Sequence, residues 1–250
     1  MARAQLRFYE ELNDFLKPGL HKQAFSHAFD RRTSIKDMIE SFGVPHTEVD
    51  IILVNGQSVD FSHIVQDGDR ISVYPVFESL DVSPLVRLRP APLRKTAFIL
   101  DTNLGRLARY LRLLGFDCLY QNNFDDETVA RLSREQHRCV LTRDRALLQR
   151  KIITHGYFVR AVRPRLQVQE VLARFDLYRQ VRPFSRCSRC NGELKPVDKQ
   201  EIRDRLEPKT RKYFDSFRIC RSCRQLYWQG SHHDRSLQLI AELTRKDPDI

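Results

Sequence analysis

An apolar run that ends in an aspartate and opens directly into an amphipathic helix constrains this chain more than any other feature. Residues 97–100 are apolar, as in a buried strand, and Asp101 follows at once. Leucines at helical spacing form one face of the next segment: Leu104, Leu107, Leu111 and Leu114. Arginines form another side: Arg106, Arg109 and Arg112. Gly115 suits the left-handed residue that ends a helix. The pattern therefore predicts a carboxylate at a strand-to-helix corner, beside an arginine-rich helix side.

The same alternation of apolar runs and helical patterns continues through residues 96–180. Strands are predicted at residues 97–100, 116–120, 139–142 and 157–162. Helices are predicted at residues 103–114, 126–135, 145–151 and 168–175. Strands that alternate with helices indicate a parallel sheet with covered faces and right-handed crossovers. We therefore predict an α/β domain over residues 96–180.

Aspartates stand where three of these strands end. Asp101 follows the first strand and Asp144 follows the third. Asp125 and Asp126 open the helix after the second strand. Open α/β sheets bind ligands at the carboxyl ends of their strands, so we expect these carboxylates to converge. Mg²⁺ or Mn²⁺ would relieve their repulsion, activate water and stabilise charge on a phosphodiester. The alternative is that each aspartate only caps the helix that follows it.

Residues 1–78 have a different order of elements. Strands are predicted at residues 3–9, 23–29, 49–54, 57–59 and 70–76, with a helix that begins after Thr33 or Ser34. Asn55 and Gly56 indicate a tight hairpin between two of these strands. The order β-β-α-β-β-β predicts an α+β domain.

This first domain resembles the ubiquitin-like β-grasp of small sulfur-carrier proteins. The resemblance rests on Ile52-Leu-Val-Asn-Gly-Gln57 and on Val65-Gln-Asp-Gly-Asp-Arg-Ile-Ser-Val-Tyr-Pro75. Such carriers end in a free Gly-Gly, whereas this chain has no diglycine there and continues. The resemblance therefore implies a binding or scaffolding module for a protein partner, with sulfur transfer as the remote alternative. Residues 79–95 follow as a predicted linker, because prolines that break regular structure alternate with basic residues there.

Two C-x-x-C pairs organise residues 181–240. Cys187, Cys190, Cys220 and Cys223 have the spacing of a tetrahedral structural Zn²⁺ site, so we predict a zinc ribbon, with an iron–sulfur centre or an unfilled site as alternatives. Residues 197–218 form a charged, partly helical insertion between the pairs, and residues 241–250 a tail. A four-cysteine site has no open coordination position, so this metal is expected to fold the ribbon and not to catalyse. Trp228 could stack on RNA bases or pack the ribbon against the central domain.

The charge of the chain favours a polyanionic partner. The 250 residues carry 43 Lys and Arg against 32 Asp and Glu, a net charge of +11. The first residues lack the apolar core of a signal peptide, and no stretch approaches the length of a membrane span. We expect a cytoplasmic protein without a membrane partner, in a compartment where six cysteines stay reduced.

The central motifs resemble PIN-like nucleases, and more specifically the RNase domain at the C-terminus of Mut-7-type exoribonucleases. The resemblance rests on Leu104-Gly-Arg-Leu-Ala-Arg-Tyr-Leu-Arg-Leu-Leu-Gly-Phe-Asp117 and Leu141-Thr-Arg-Asp-Arg145. A further motif, Trp228-Gln-Gly-Ser-His-His-Asp234, resembles the closing motif of that family. In prokaryotes this domain also occurs in proteins with a ubiquitin-like module ahead of it, the order that this chain resembles. The resemblance covers residues 1 to about 240 in the right order.

The resemblance implies a set of site residues. Asp101, Asp126 and Asp144 carry over as the catalytic, metal-binding acids, with Asp125 as a substitute for Asp126. PIN-type sites often include a fourth acid after the third-strand aspartate, and here Arg145 stands in that place. The residues expected to bind RNA are Arg106, Arg109, Arg143, Arg145, Ser231 and His232. The implied activity is metal-dependent hydrolysis of single-stranded RNA; a non-catalytic RNA- or ribosome-binding protein is the alternative.

Overall fold

A computed structural model describes residues 1–75, residue 88 and residues 96–245, without the side chains of Ser231 and His232. The predicted linker at 79–95 lies outside the described residues apart from Leu88. The chain forms two compact units that do not follow its linear order. The first unit comprises Met1–Lys95 and Asp125–Phe158, and the second comprises Thr96–Phe124 and Val159–Ile250.

The N-terminal part of the first unit is a five-stranded sheet with one helix. Its elements are β1 (Ala2–Phe8), β2 (Phe25–Phe29), α1 (Ile35–Ser41), β3 (Val49–Val54), β4 (Gln57–Val59) and β5 (Arg70–Pro75). The strand order is β2-β1-β5-β3-β4, with β1 and β5 parallel and the other pairs antiparallel. The Ser34 side chain caps α1 by accepting a hydrogen bond from the Asp37 N–H (3.1 Å). The predicted β-grasp fold is therefore confirmed.

The predicted hairpin turn is present between β3 and β4. Asn55 and Gly56 have φ of 51° and 84°, which are the left-handed values that a two-residue hairpin turn needs. The core under the sheet is apolar and closed to solvent, and includes Leu6, Phe8, Ile35, Ile39, Ile52 and Val73. The 3₁₀ helices Glu10–Phe15 and His46–Glu48 have no counterpart in the sequence pattern.

Residues 97–174 are α/β, as predicted. Their elements are β6 (Ala97–Leu100), α2 (Gly105–Leu113), β7 (Asp117–Leu119), α3 (Asp126–Glu135), β8 (Cys139–Thr142), α4 (Arg145–Leu148), β9 (Gly156–Phe158) and α5 (Pro164–Arg174). In the second unit β6 pairs with β7, and in the first unit β8 pairs with β9; both pairs are parallel. A 3₁₀ turn, Thr102–Leu104, precedes α2, and α5 begins at Pro164, because proline fits the first turn of a helix.

The C-terminal part of the second unit is a small three-stranded sheet with helical additions. It consists of β10 (Leu194–Val197), α6 (Pro208–Tyr213), β11 (Phe217–Cys220), β12 (Leu226–Trp228) and α7 (Ser231–Leu243). The strands are antiparallel in the order β10-β11-β12. The predicted insertion contains the 3₁₀ helix Gln200–Arg205 and α6. Among the described residues, no helix is long and apolar enough to span a bilayer.

Candidate active site and metal centre

Asp101 lies at the carboxyl end of β6 and is almost fully buried, with 7% of its surface exposed. Its Oδ1 atom accepts hydrogen bonds from the Thr102 N–H and from the Thr102 hydroxyl (3.2 Å). These contacts cap the 3₁₀ turn that leads into α2. The predicted corner between strand and helix is therefore present.

Asp125 and Asp126 differ in their contacts. Asp125 is exposed and caps α3, because its Oδ1 atom accepts a hydrogen bond from the Thr128 N–H (2.8 Å). The hydrogen bonds to Thr128 lower the pKa of Asp125. Asp126 is the first residue of α3, and its Oδ2 atom lies 3.8 Å from the Arg150 guanidinium. The Asp126 side chain is 46% exposed, so it remains accessible to a ligand.

Asp144 follows β8 and is exposed. Its Oδ1 atom accepts a hydrogen bond from the Ala146 N–H (2.8 Å), and its own N–H donates to the Thr142 hydroxyl (2.9 Å). The capping alternative thus holds for Asp101, Asp125 and Asp144. Capping uses a single carboxylate oxygen, and a carboxylate has two, so a capping aspartate can still bind a metal ion.

The arginines of α2 do not share one environment. Arg106 and Arg109 are exposed, as predicted. Arg112 is buried, with 4% of its surface exposed, although the sequence pattern groups it with Arg106 and Arg109 on the arginine-rich side. Its guanidinium donates to the carbonyls of Cys118 (2.8 Å), Arg189 (3.0 Å) and Tyr120 (3.3 Å). Burial lowers the pKa of Arg112.

The remaining residues predicted to bind RNA also differ. Arg143 is exposed. Arg145 donates to the backbone carbonyls of Phe15 (3.2 Å) and Asp14 (3.4 Å), so its guanidinium already has protein partners. Ser231 and His232 are the first residues of α7, and their side chains lie outside the described part of the structure.

Four cysteines come together in the second unit, as their spacing predicts. The sulfur atoms of Cys187, Cys190, Cys220 and Cys223 lie within 4.8 Å of one another. The closest pairs are Cys190–Cys220 (3.4 Å) and Cys187–Cys223 (3.6 Å), too long for disulfide bonds. A tetrahedral Zn²⁺ with Zn–S bonds of about 2.3 Å separates its sulfurs by about 3.8 Å. The four thiols therefore fit a single zinc ion.

Tyr227 contacts this cluster, a contact that spacing did not reveal. Its hydroxyl lies 3.1 Å from the Cys187 sulfur. Burial raises the pKa of the Cys187 thiol, but hydrogen bonds from Tyr227 and from the Cys190 and Arg189 N–H groups outweigh it and bring that pKa to about 7. Burial and the contact with Cys187 raise the pKa of Tyr227 to about 12. Tyr227 therefore stays protonated and can donate to a metal-binding thiolate.

Residues beside the first cysteine pair also contact β7. Asn191 accepts a hydrogen bond from the Cys118 N–H (2.9 Å) and donates one to Asp117 Oδ1 (2.8 Å). Arg186 reaches the other oxygen of Asp117 (3.3 Å). Trp228 is 38% exposed and lies beside Phe217, with ring centroids 6.5 Å apart. Cys118 itself is a small core residue, as predicted, as is Cys139.

Comparisons with known proteins identify two family regions, one after the other in the chain. The model of the Mut7-C RNAse domain matches residues 96–240, which is more than half of the chain. The model of the Mut7-C ubiquitin domain matches residues 1–81. No curated protein and no solved structure matches the chain. The chain therefore belongs to the Mut7-C RNAse domain family, with a Mut7-C ubiquitin domain ahead of the RNAse domain.

Proposed function

We propose that the protein is a metal-dependent ribonuclease in which Asp101, Asp126 and Asp144 bind the catalytic ion. The observation that carries the proposal is the match of the RNAse-domain model over residues 96–240, which include all three aspartates. Asp101 and Asp144 follow parallel strands, and Asp126 opens a helix. Those are the positions at which α/β sheets bind ligands. Carboxylate oxygens are the ligands that Mg²⁺ and Mn²⁺ prefer.

The chain's own residues have distinct roles in this proposal. The three carboxylates would hold Mg²⁺ or Mn²⁺, which when bound supplies Lewis acidity to water and to the scissile phosphodiester. Arg106, Arg109 and Arg143 are exposed and would contact phosphates of single-stranded RNA. Attack by water does not use the RNA 2′-hydroxyl. The products should therefore carry 5′-phosphate and 3′-hydroxyl ends, whereas cyclic-phosphate ends would contradict the proposal.

Cleavage of end-labelled single-stranded RNA tests the proposal. The wild type and Asp144→Asn would be compared with Mn²⁺, with Mg²⁺ and with EDTA. Asparagine also caps helices, so this variant keeps the start of α4 while it removes the charge that a metal ion needs. We expect metal-dependent cutting that the variant loses, with RNA binding retained on a filter. A metal-dependent activity that is equal in both proteins would refute the assignment of Asp144.

A second candidate is a non-catalytic RNA- or ribosome-binding protein. Two observations favour it: three of the four aspartates already serve as helix caps, and Arg145 follows Asp144 where an acid is common. RNA binding that survives Asp101→Asn, with no cleavage in Mn²⁺ or Mg²⁺, would support this candidate over the nuclease.

The cysteine cluster is proposed to hold a structural Zn²⁺. The support is the fit of four sulfurs, all within 4.8 Å, to one tetrahedral ion. Thiolates that bind metal must stay reduced, which agrees with a cytoplasmic protein. Metal analysis of the purified protein should find one zinc per chain, and Cys190→Ser should lose it. The ubiquitin-like domain is in addition a candidate surface for a protein partner.

A further inference from the structure

In the first unit, the ubiquitin-like domain contacts the segment that carries Asp144, and Arg145 makes the central contacts. We call this set of contacts between residues 14–48 and residues 145–158 the joint. The Arg145 guanidinium donates to the carbonyls of Phe15 (3.2 Å) and Asp14 (3.4 Å), at the end of the 3₁₀ helix Glu10–Phe15. It also lies over two aromatic rings, 5.1 Å from the centroid of Phe15 and 5.6 Å from that of Phe158. Phe15 and Phe158 pack edge to face, with centroids 5.4 Å apart. Arg145 is thus held by both its charge and its planar shape.

Buried polar groups of the ubiquitin-like domain extend this joint. Glu48 is 1% exposed, and its Oε1 atom accepts a hydrogen bond from the Phe158 N–H (2.6 Å). His46 is 8% exposed, and its Nε2 atom lies 2.9 Å from the Ile153 carbonyl. A buried carboxylate is costly unless it is hydrogen-bonded, so Glu48 fixes the end of β9 in one place. Both residues belong to the 3₁₀ helix His46–Glu48.

The same joint also holds α4 from its other end. The Gln149 amide, directly after α4, donates to the Glu40 carbonyl (3.2 Å), and the Glu40 carboxylate lies 2.7 Å from His46 Nδ1. The four residues of α4 are therefore attached to the ubiquitin-like domain through Arg145 at the start and Gln149 at the end. Asp144 is the cap of this helix, so its carboxylate moves with α4.

We infer that the ubiquitin-like domain is a positioning part of the ribonuclease, and that Arg145 is the positioning residue through which it fixes the Asp144 turn. This inference rests on the proposed function for the role of Asp144. It differs from an RNA-binding role for Arg145 in a measurable way. A phosphate contact needs positive charge, which lysine retains, whereas contact with two carbonyl acceptors and two aromatic rings depends on the planar guanidinium fork.

Kinetics of Arg145→Lys test the inference, with Arg143→Ala as the comparison. We expect Arg145→Lys to lower kcat about tenfold at saturating RNA, because a small misplacement of a catalytic group is costly. The Mn²⁺ concentration for half-maximal activity should rise about tenfold, as for changes that disturb the support of a metal ligand. The Kd for RNA on a filter should not change. Arg143→Ala should show the opposite pattern, with weaker RNA binding, a smaller salt dependence and the same metal requirement.

Hydrogen exchange of residues 139–148 gives a readout that does not depend on activity. Arg145→Lys should speed exchange there, and Arg143→Ala should not. A variant whose kcat and metal requirement match those of the wild type, or one that changes only RNA affinity, would overturn the inference. If the wild type cleaves no RNA with any metal, the proposed function fails. Unchanged hydrogen exchange in Arg145→Lys would then show separately that Arg145 does not fix the Asp144 turn.

Discussion

Asp125 and Asp126 are neighbours in the chain, but only one of them caps α3. Asp125 accepts the Thr128 N–H, whereas Asp126 lies in the first turn beside Arg150. We predict that Asp126→Asn lowers kcat by about 100-fold or more, because the proposed metal site loses a negative charge. Asp125→Asn should keep most of the activity, since asparagine is an equally good cap. Cleavage assays at saturating Mn²⁺ measure both, and equal losses in the two variants would contradict this division of roles.

Tyr227 is predicted to strengthen zinc binding through one hydrogen bond. Its hydroxyl lies 3.1 Å from the Cys187 sulfur and stabilises the thiolate that a metal ion binds. Tyr227→Phe removes this donor without a change in ring shape, so zinc should transfer to a chromophoric chelator about tenfold faster. Tyr213→Phe is the matched control, because Tyr213 is 67% exposed and belongs to α6 in the insertion between the two cysteine pairs. The same transfer rate in Tyr227→Phe and the wild type would show that the hydroxyl does not support the site.

At the scale of single elements, Asn191 links the first cysteine pair to β7. It has φ of 70°, and its side chain bonds to the Cys118 N–H and to Asp117. Asn191→Gly keeps the left-handed backbone accessible and removes both hydrogen bonds. We predict a loss of about 2 kcal/mol in the free energy of unfolding of the zinc-loaded protein, measured in urea. Asn122→Gly, in the exposed loop after β7, should cost less than half of this; an equal cost would mean that the link carries no stability.

Strands and helices with a strong apolar pattern could be predicted from sequence. A 3₁₀ helix without such a pattern and a single buried arginine could not. The bounds of β3, β4, β6, α3 and β8 agree with prediction. Apolar runs mark β3, β6 and β8, the Asn55-Gly56 turn sets the start of β4, and Asp125 caps α3. The 3₁₀ helix Glu10–Phe15 has no such signal. Arg112 occupies a helical position that periodicity assigns to the basic side, yet three carbonyls satisfy its guanidinium in the interior. Periodicity reports the polarity of a face and not the partners that a buried charge finds.

The candidate site residues were predictable to a similar extent. The four-cysteine cluster follows from spacing, because four cysteines in two close pairs allow few other arrangements. The aspartates follow from their place after strands, although the same place explains them as caps. The partners of Arg145 could not be predicted, since Phe15 and Asp14 lie about 130 residues away in the chain.

At the scale of the whole molecule, the compact units divide the chain differently from the order of its motifs. The order of motifs predicts one domain after another, whereas residues Asp125–Phe158 belong to the same unit as the ubiquitin-like domain. Side chains that have no distinguishing pattern in the sequence connect these two segments. Glu48, for example, accepts a hydrogen bond from the Phe158 N–H. The linear order of motifs therefore does not show that the ubiquitin-like domain packs with part of the RNAse domain.

The division into two units predicts that removal of zinc changes hydrogen exchange in the second unit and not in the first. The buried residues of the zinc ribbon form two small clusters, which are too small to hold it without a metal ion. One comprises Ile202, Leu206, Phe217, Ile219 and Leu226, and the other comprises Cys187, Leu194 and Cys220. Asn191 and Arg186 connect the first cysteine pair to β7 in the second unit. After treatment with a chelator, hydrogen exchange should therefore rise in the ribbon and in β7.

Peptides from α1, β3 and β5 in the first unit should keep their protection after the same treatment, because their own core remains intact. Added Zn²⁺ should restore protection to the ribbon and to β7, which distinguishes metal loss from irreversible damage. Faster exchange throughout both units would show that the chain unfolds as a single cooperative body. A rise confined to the ribbon would show that Asn191 and Arg186 do not transmit the loss to β7, the strand that pairs with β6 and so adjoins the Asp101 corner.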